Sequence, residues 1–128
     1  MKHSQLSQSI EDYIEAIYLL EEEGKSAKSV EIARLIGVSK PAVNKAMNEL
    51  LKLGYIEKEP YGSITLTEKG KKIGKKVYGI HVTIRDFLIQ IGVSKETADI
   101  DCCLIEHVIS TETLNAIKKS LNKKKLNK

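Results

Sequence analysis

A thiol, a carboxylate and an imidazole fall within five positions in the run Asp101-Cys102-Cys103-Leu104-Ile105-Glu106-His107. These side-chain types ligate transition metals, and their spacing suits one helical face: at ~100° per residue, Cys103, Glu106 and His107 share an arc of ~100°. Leu104, Ile105, Val108 and Ile109 are then expected on the opposite, core side, with Cys102 turned away from the ligands. Near the start of the chain Asp12 and Glu15 are three apart, on the side opposite Ile10, Ile14 and Ile17, and His81 sits beside a later apolar seam. A mixed nitrogen, oxygen and sulfur set fits a divalent transition metal better than calcium or magnesium. Each residue alone has a plainer reading. A single cysteine is commonly a small buried hydrophobe, a single histidine a satisfied core or surface group, and acids in a first turn favour the positive end of a helix.

The elements that must position these groups are mostly helices. Ile10, Ile14, Ile17 and Leu20 recur at helical spacing behind Ser9 as N-cap, and Gly24 ends that helix. A second helix is expected over Ser29–Ile36, stopped by Gly37, and a third opens at Ser39 with Pro41 in its first turn and ends at Gly54. Tyr55–Glu59 and Ser63–Leu66 alternate around Pro60-Tyr61-Gly62, the pattern of a small β-hairpin. Thr67 then caps a long helix whose apolar positions Ile73, Val77, Ile80, Ile84, Phe87 and Ile91 step by three and four. Ile73, Ile80, Ile84, Phe87 and the last two helices are candidates for a dimer core, though the same seam could be purely intramolecular. Ser94 and Ser110 are N-cap candidates for two more helices, and residues Asn122 to Lys128 are expected to fray. The fold class is mainly α with one hairpin, an N-terminal winged helix-turn-helix followed by an all-helical domain, with domains at 1–70 and 71–128.

Composition narrows the function classes. A chain of 128 residues that is 41% hydrophobic and 30% charged can form a folded core and lacks the profile of a disordered chain. No segment approaches the roughly 18 consecutive apolar residues of a membrane span, and no signal peptide is read at the N-terminus. The two cysteines are adjacent and cannot readily pair, which excludes a disulfide framework and suits a reducing cytoplasm. No serine–histidine, nucleotide-loop or paired-acid catalytic motif is present, so the chain is not read as an enzyme.

Charge is unevenly distributed. Residues 1–23 carry six acids against one lysine, residues 38–80 nine lysines against four acids, and residues 118–128 six lysines and no acid. A basic middle can neutralise phosphates, although charge alone equally describes a soluble lysine-rich surface. The order helix, helix, helix, hairpin adds geometry. The first turns of a recognition helix enter the major groove, which places Ser39, Lys40, Pro41, Asn44 and Lys45 at the DNA, with Lys58 and Tyr61 as wing contacts. Asn44 could read a base edge, and Ser39 and Lys40 could take phosphates.

Ile10-Glu11-Asp12-Tyr13-Ile14-Glu15-Ala16-Ile17-Tyr18-Leu19-Leu20, Leu66-Thr67-Glu68-Lys69-Gly70, His81, and Cys103-Leu104-Ile105-Glu106-His107 followed by Ser110 resemble the diphtheria toxin repressor family of metal-dependent transcriptional regulators. The chain carries no SH3-like third domain and so looks like the short, two-domain form similar to the manganese transport regulators. The resemblance implies a homodimer that binds double-stranded operator DNA when loaded with ferrous iron or manganese and represses metal-uptake genes. It places Asp12, Cys103, Glu106 and His107 in the primary metal site, with Glu15 and His81 as additional ligands. Asp12 matches the manganese-responsive branch and Cys103 the iron-responsive one, while Arg85 stands where iron-type members use a glutamate. Thiolate softness favours iron, cobalt, nickel or zinc over manganese, and with availability in the cell making the choice the expected order is Fe2+ first, Mn2+ second and Zn2+ third. A metal-independent winged-helix protein and a small zinc protein with hydrolytic activity are the competing classes.

Overall fold

A computed structural model describes residues 7–126 of the chain. These residues form α1 (Gln8–Glu22), α2 (Ser29–Ile36), α3 (Lys40–Leu53), β1 (Ile56–Lys58), β2 (Ile64–Leu66), α4 (Glu68–Gln90), α5 (Lys95–Ile105) and α6 (Thr111–Leu126). Contacts divide the chain inside α4, between Lys76 and Val77, into two compact units.

The first unit is built on α1. Ser7, rather than Ser9, is its N-cap, and the Ser7 hydroxyl accepts from the Ile10 N–H at 3.2 Å. Capping geometry, and not the first apolar residue, sets where the helix begins. Tyr13, Ile14, Ile17 and Leu20 of α1 pack with Ile32, Val43, Met47 and Leu50 of α2 and α3 and with Tyr55, Ile56, Ile64 and Leu66 around the hairpin. The turn between α2 and α3 depends on Gly37, whose φ of +81° is a conformation that L side chains rarely adopt. Ser39 then caps α3 by accepting from the Ala42 N–H at 3.2 Å, with Pro41 in the first turn where its missing N–H costs nothing.

The hairpin pairs antiparallel with Ile56 opposite Leu66 and Lys58 opposite Ile64, each strand shorter than the alternating run that encodes it. Ile64 also bridges to Ala27, donating its N–H to the Ala27 carbonyl at 2.7 Å. The Glu21 carboxylate accepts the Leu66 N–H at 2.9 Å, so α1 is tied to β2 by a polar bond as well as by packing. Thr67 accepts from the Gly70 N–H at 3.2 Å and donates to the Gly54 carbonyl at 2.7 Å, capping α4 while joining it to the end of α3. Two glycines let α4 lie close to this core. A Cβ at Gly70 would collide with the Tyr55 carbonyl oxygen, and one at Gly74 would stand 2.8 Å from Tyr18 Cβ.

The second unit holds the rest of α4 with α5 and α6. Ile80, Ile84, Cys102, Ile109 and Leu114 form its buried core, with Leu88, Ile105 and Ile117 packed on it. Ser94 and Ser110 cap α5 and α6, accepting from Thr97 and Thr113 N–H groups. The long apolar seam is divided between two cores: Ile73 packs on the first, while Ile80 and Ile84 are buried in the second. Those two side chains are therefore intramolecular and not available as a dimer core. Ile91 lies beyond the end of α4 and is 60% exposed, because the helix stops before the repeat does. The helical backbone of α6 continues to Leu126 instead of fraying from Asn122, and residues 127 and 128 lie outside the described residues.

Candidate metal centre and nucleic-acid surface

In the second unit α4 supplies His81, and α5 with the turn after it supplies Cys102, Cys103, Glu106 and His107. His81 Nδ1 lies 3.0 Å from Glu106 Oε1, a bond in which the ring N–H donates to the carboxylate. Cys102 Sγ lies 3.4 Å from His81 Nε2 and 3.5 Å from Nδ1, and Cys103 Sγ lies 3.9 Å from Nδ1. The ring of Tyr78 stacks beside the imidazole with planes 13° apart, which restrains its orientation.

The expected helical strip is corrected in two respects. Helix α5 ends at Ile105, and Glu106 as C-cap keeps a right-handed helical conformation and donates its N–H to the Cys102 carbonyl at 3.0 Å, so the helical phase runs on through Glu106. Glu106 and His107 are buried at 1% and 4% exposure, while Leu104 and Val108, expected in the core, are 61% and 69% exposed. Cys102, expected to point away from the ligands, is fully buried beside His81, and Cys103 is exposed. Ala98, Cys102, Glu106 and Ile109 are buried at spacings of four, four and three, so the core face of the helix runs through Cys102 and Glu106. Only Ile105 and Ile109 keep the expected core role.

The donor chemistry fits a cation. Among the described residues Glu106 Oε2 is buried with no hydrogen-bond partner, a costly state for a carboxylate oxygen that a bound cation would relieve. Burial, with Cys103 and Glu106 nearby, pushes the Cys102 thiol up to about 12, so the thiol is protonated at neutral pH until an ion displaces the proton. Arg85 is directed elsewhere: its Nη1 lies 3.8 Å from Asp99 Oδ1, a contact between α4 and α5. Cys102 was missed in the sequence reading, although the doubled cysteine was its visible signal.

In the first unit, Asp12 is half-buried and Glu15 buried on α1, with Glu11 buried beside them. The apolar side of α3 is taken up by Val43, Met47 and Leu50, which leaves Lys40, Pro41, Asn44 and Lys45 exposed together. Ser39 Oγ is engaged in capping, so its hydroxyl is held at the helix start. Asn44 Oδ1 accepts from Ser29 Oγ at 3.2 Å, a contact from α2 that orients the amide and that sequence spacing did not reveal. Lys58 ends β1, and Tyr61 at the hairpin tip is 90% exposed. An exposed aromatic held on a tight turn, beside two helices joined by a glycine, is the shape of a groove-binding surface.

Residues 5–64 match the iron dependent repressor N-terminal DNA binding domain, and residues 67–127 match the iron dependent repressor metal binding and dimerisation domain. The chain is 43% identical over 115 residues to an uncharacterised HTH-type transcriptional regulator of Methanocaldococcus jannaschii, covering 88% of this chain and 92% of that one. It is 40% identical over 109 residues to the HTH-type transcriptional regulator MntR of Bacillus subtilis, covering 85% of this chain and 77% of that one. Among solved structures, the manganese regulator SloR superposes with a TM-score of 0.78 at 28% identity, covering 88% of this chain. This chain spans 53% of that protein's length. The chain belongs to the iron-dependent repressor family and is a metal-dependent, DNA-binding transcriptional regulator, not an enzyme.

Proposed function

We propose that this regulator represses genes for iron or manganese uptake, with a divalent metal as corepressor. Residues 1–70 serve as the winged helix-turn-helix and residues 71–128 as the metal-binding and dimerisation domain. The observation that carries the reading is the buried, half-satisfied Glu106 carboxylate against His81, with a cysteine sulfur at the same imidazole. The proposed ligands are Asp12, Glu15, His81, Cys103, Glu106 and His107. Asp12 and Glu15 enter through the resemblance of the α1 segment to the family. The metal, when bound, supplies the positive charge that makes burial of several carboxylates favourable.

The chain's own groups do the rest. Glu106 holds the His81 ring through Nδ1 and so sets which tautomer faces the ion, and Tyr78 keeps the ring from turning. The thiolate of Cys103 favours iron or zinc over manganese, and availability in the cell sets the order Fe2+ first, Mn2+ second and Zn2+ third. The partner is double-stranded operator DNA, with Asn44 at a base edge, Ser39 and Lys40 at phosphates, Lys45 at either, Pro41 in the same first turn, and Lys58 and Tyr61 on the wing. A homodimer presents two such surfaces to two half-sites. Its interface is drawn on α5 and the turn after it, where Ile100, Leu104 and Val108 are exposed at four-residue intervals. The compartment is the cytoplasm, and no described helix is long and apolar enough to cross a membrane.

The test is an operator-binding titration with Fe2+, Mn2+, Co2+ and Zn2+ under reducing, anaerobic conditions. Metal-dependent binding strongest with Fe2+ is expected. Equal affinity with and without metal would return the protein to the metal-independent class.

A further inference from the structure

Cys102 lies outside the six proposed ligands, yet its sulfur stands closer to the His81 imidazole than that of Cys103 does. One nitrogen of His81 and both cysteine sulfurs lie within 4.8 Å of one another, on two helices of one compact unit. A tetrahedral ion with ~2.3 Å bonds to sulfur and ~2.0 Å bonds to nitrogen separates its sulfur and nitrogen donors by about 3.5 Å. His81 Nδ1 is 3.5 Å from Cys102 Sγ and 3.9 Å from Cys103 Sγ, so the donors already stand near that spacing.

We propose that His81, Cys102 and Cys103 form a soft-metal site for a thiophilic d10 ion of the class Zn2+, Cd2+ or Cu+, with Cys102 as the distinguishing ligand. Two thiolates and one imidazole favour such ions over Mn2+ or Fe2+, whose harder character suits carboxylates. Binding of a divalent ion forms two metal–sulfur bonds and one metal–nitrogen bond and releases both thiol protons to solvent. Ligation at Nδ1 moves that nitrogen's proton to Nε2 of the neutral ring and exchanges the contact with Glu106 for the metal bond. The exposed Cys103 provides the point of entry, and the fully buried Cys102 closes the site from the core side. Because His81 and Cys103 also belong to the six-residue set, the two modes of binding exclude each other. A thiophilic ion would therefore occupy the protein while withdrawing two ligands from the corepressor site.

The experiment is a Cd2+ titration of the full chain in a thiol-free reductant, read by thiolate-to-metal charge-transfer absorption and by proton release. Wild type is expected to show the absorption of two thiolates and release of two protons per ion. Cys102→Ala and Cys103→Ala should each lower the absorption by about half. Bound Cd2+ should also suppress Mn2+ uptake by wild type and release it in Cys102→Ala. X-ray absorption on Cd2+-loaded wild type counts the sulfur ligands without any substitution, so a folding defect in a variant leaves the test decisive. One sulfur per ion overturns this inference and leaves the six-residue set standing; no sulfur overturns both.

Discussion

The two units differ in the size of the apolar core they bury and in what they leave exposed. In the residues up to Lys76, thirteen buried side chains among the described residues make one apolar core around three helices and a hairpin, with Glu11 and Glu15 of α1 buried as well. Beyond Val77 the buried core has five members, one of them a cysteine, and Glu106 and His107 are buried as well. The same unit leaves Ile100 66% exposed, in line with Leu104 and Val108. An exposed apolar stripe beside a small buried core is the kind of face that a second chain can cover. The first unit is a scaffold and the second a sensor.

The comparison can be broken most severely at the first core. Ile32→Ala removes a fully buried side chain and is expected to destabilise the first unit by about 2–5 kcal/mol. Denaturant unfolding measures the loss, and added metal should not restore it if that core is self-sufficient. Smaller in free energy but decisive for function, Glu106→Gln should weaken metal-activated operator binding by about 10–100-fold while circular dichroism stays unchanged. Unaltered activation would remove the buried carboxylate from the sensor.

A neighbouring pair of substitutions sharpens the ligand reading. Cys103→Ser should reduce metal-activated binding strongly, and Cys103→Glu should keep a site while moving preference toward Mn2+. Operator titrations with each metal distinguish these outcomes. At the recognition helix, Asn44→Ala is expected to cost about 1–3 kcal/mol of base discrimination, with metal affinity intact. The mildest change is Lys45→Ala. If Lys45 meets phosphate, the salt dependence of binding should fall by about one unit of slope, with little change in sequence preference.

Leu104→Glu tests the outer face. It should raise the dimer dissociation concentration by at least about tenfold, or roughly 1.4 kcal/mol, in analytical ultracentrifugation. The fold of the monomer is expected to be unchanged. An unaffected dimer would place the interface elsewhere on the second unit.

Local rules made much of the fold legible. Helical spacing marked α1 and α4, Gly37 and Ser39 marked the turn into α3, and Pro60-Tyr61-Gly62 marked the hairpin. These signals are visible because they rest on residues a few positions apart, where backbone geometry and capping act. The same rules misplaced the α1 cap by two residues and carried the α4 seam past the helix end to Ile91. They also assigned Cys102 to the wrong side of the motif. At ~100° per residue Cys102 and Glu106, four apart, share a face, and periodicity alone does not say which face of α5 turns to the core.

The sequence by itself determined the element order, the exposed polar start of the recognition helix and the donor types available to a metal. Each follows from side-chain chemistry or from periods of three and four residues. Tertiary structure decided which donors meet: His81 from α4 stands against Glu106 and both cysteines across more than twenty positions of chain. It also decided that Leu104 and Val108 face outward while Glu106 turns in. Burial is a property of the packed unit, set by where a helix ends and what lies across from it, and no local spacing contains that information.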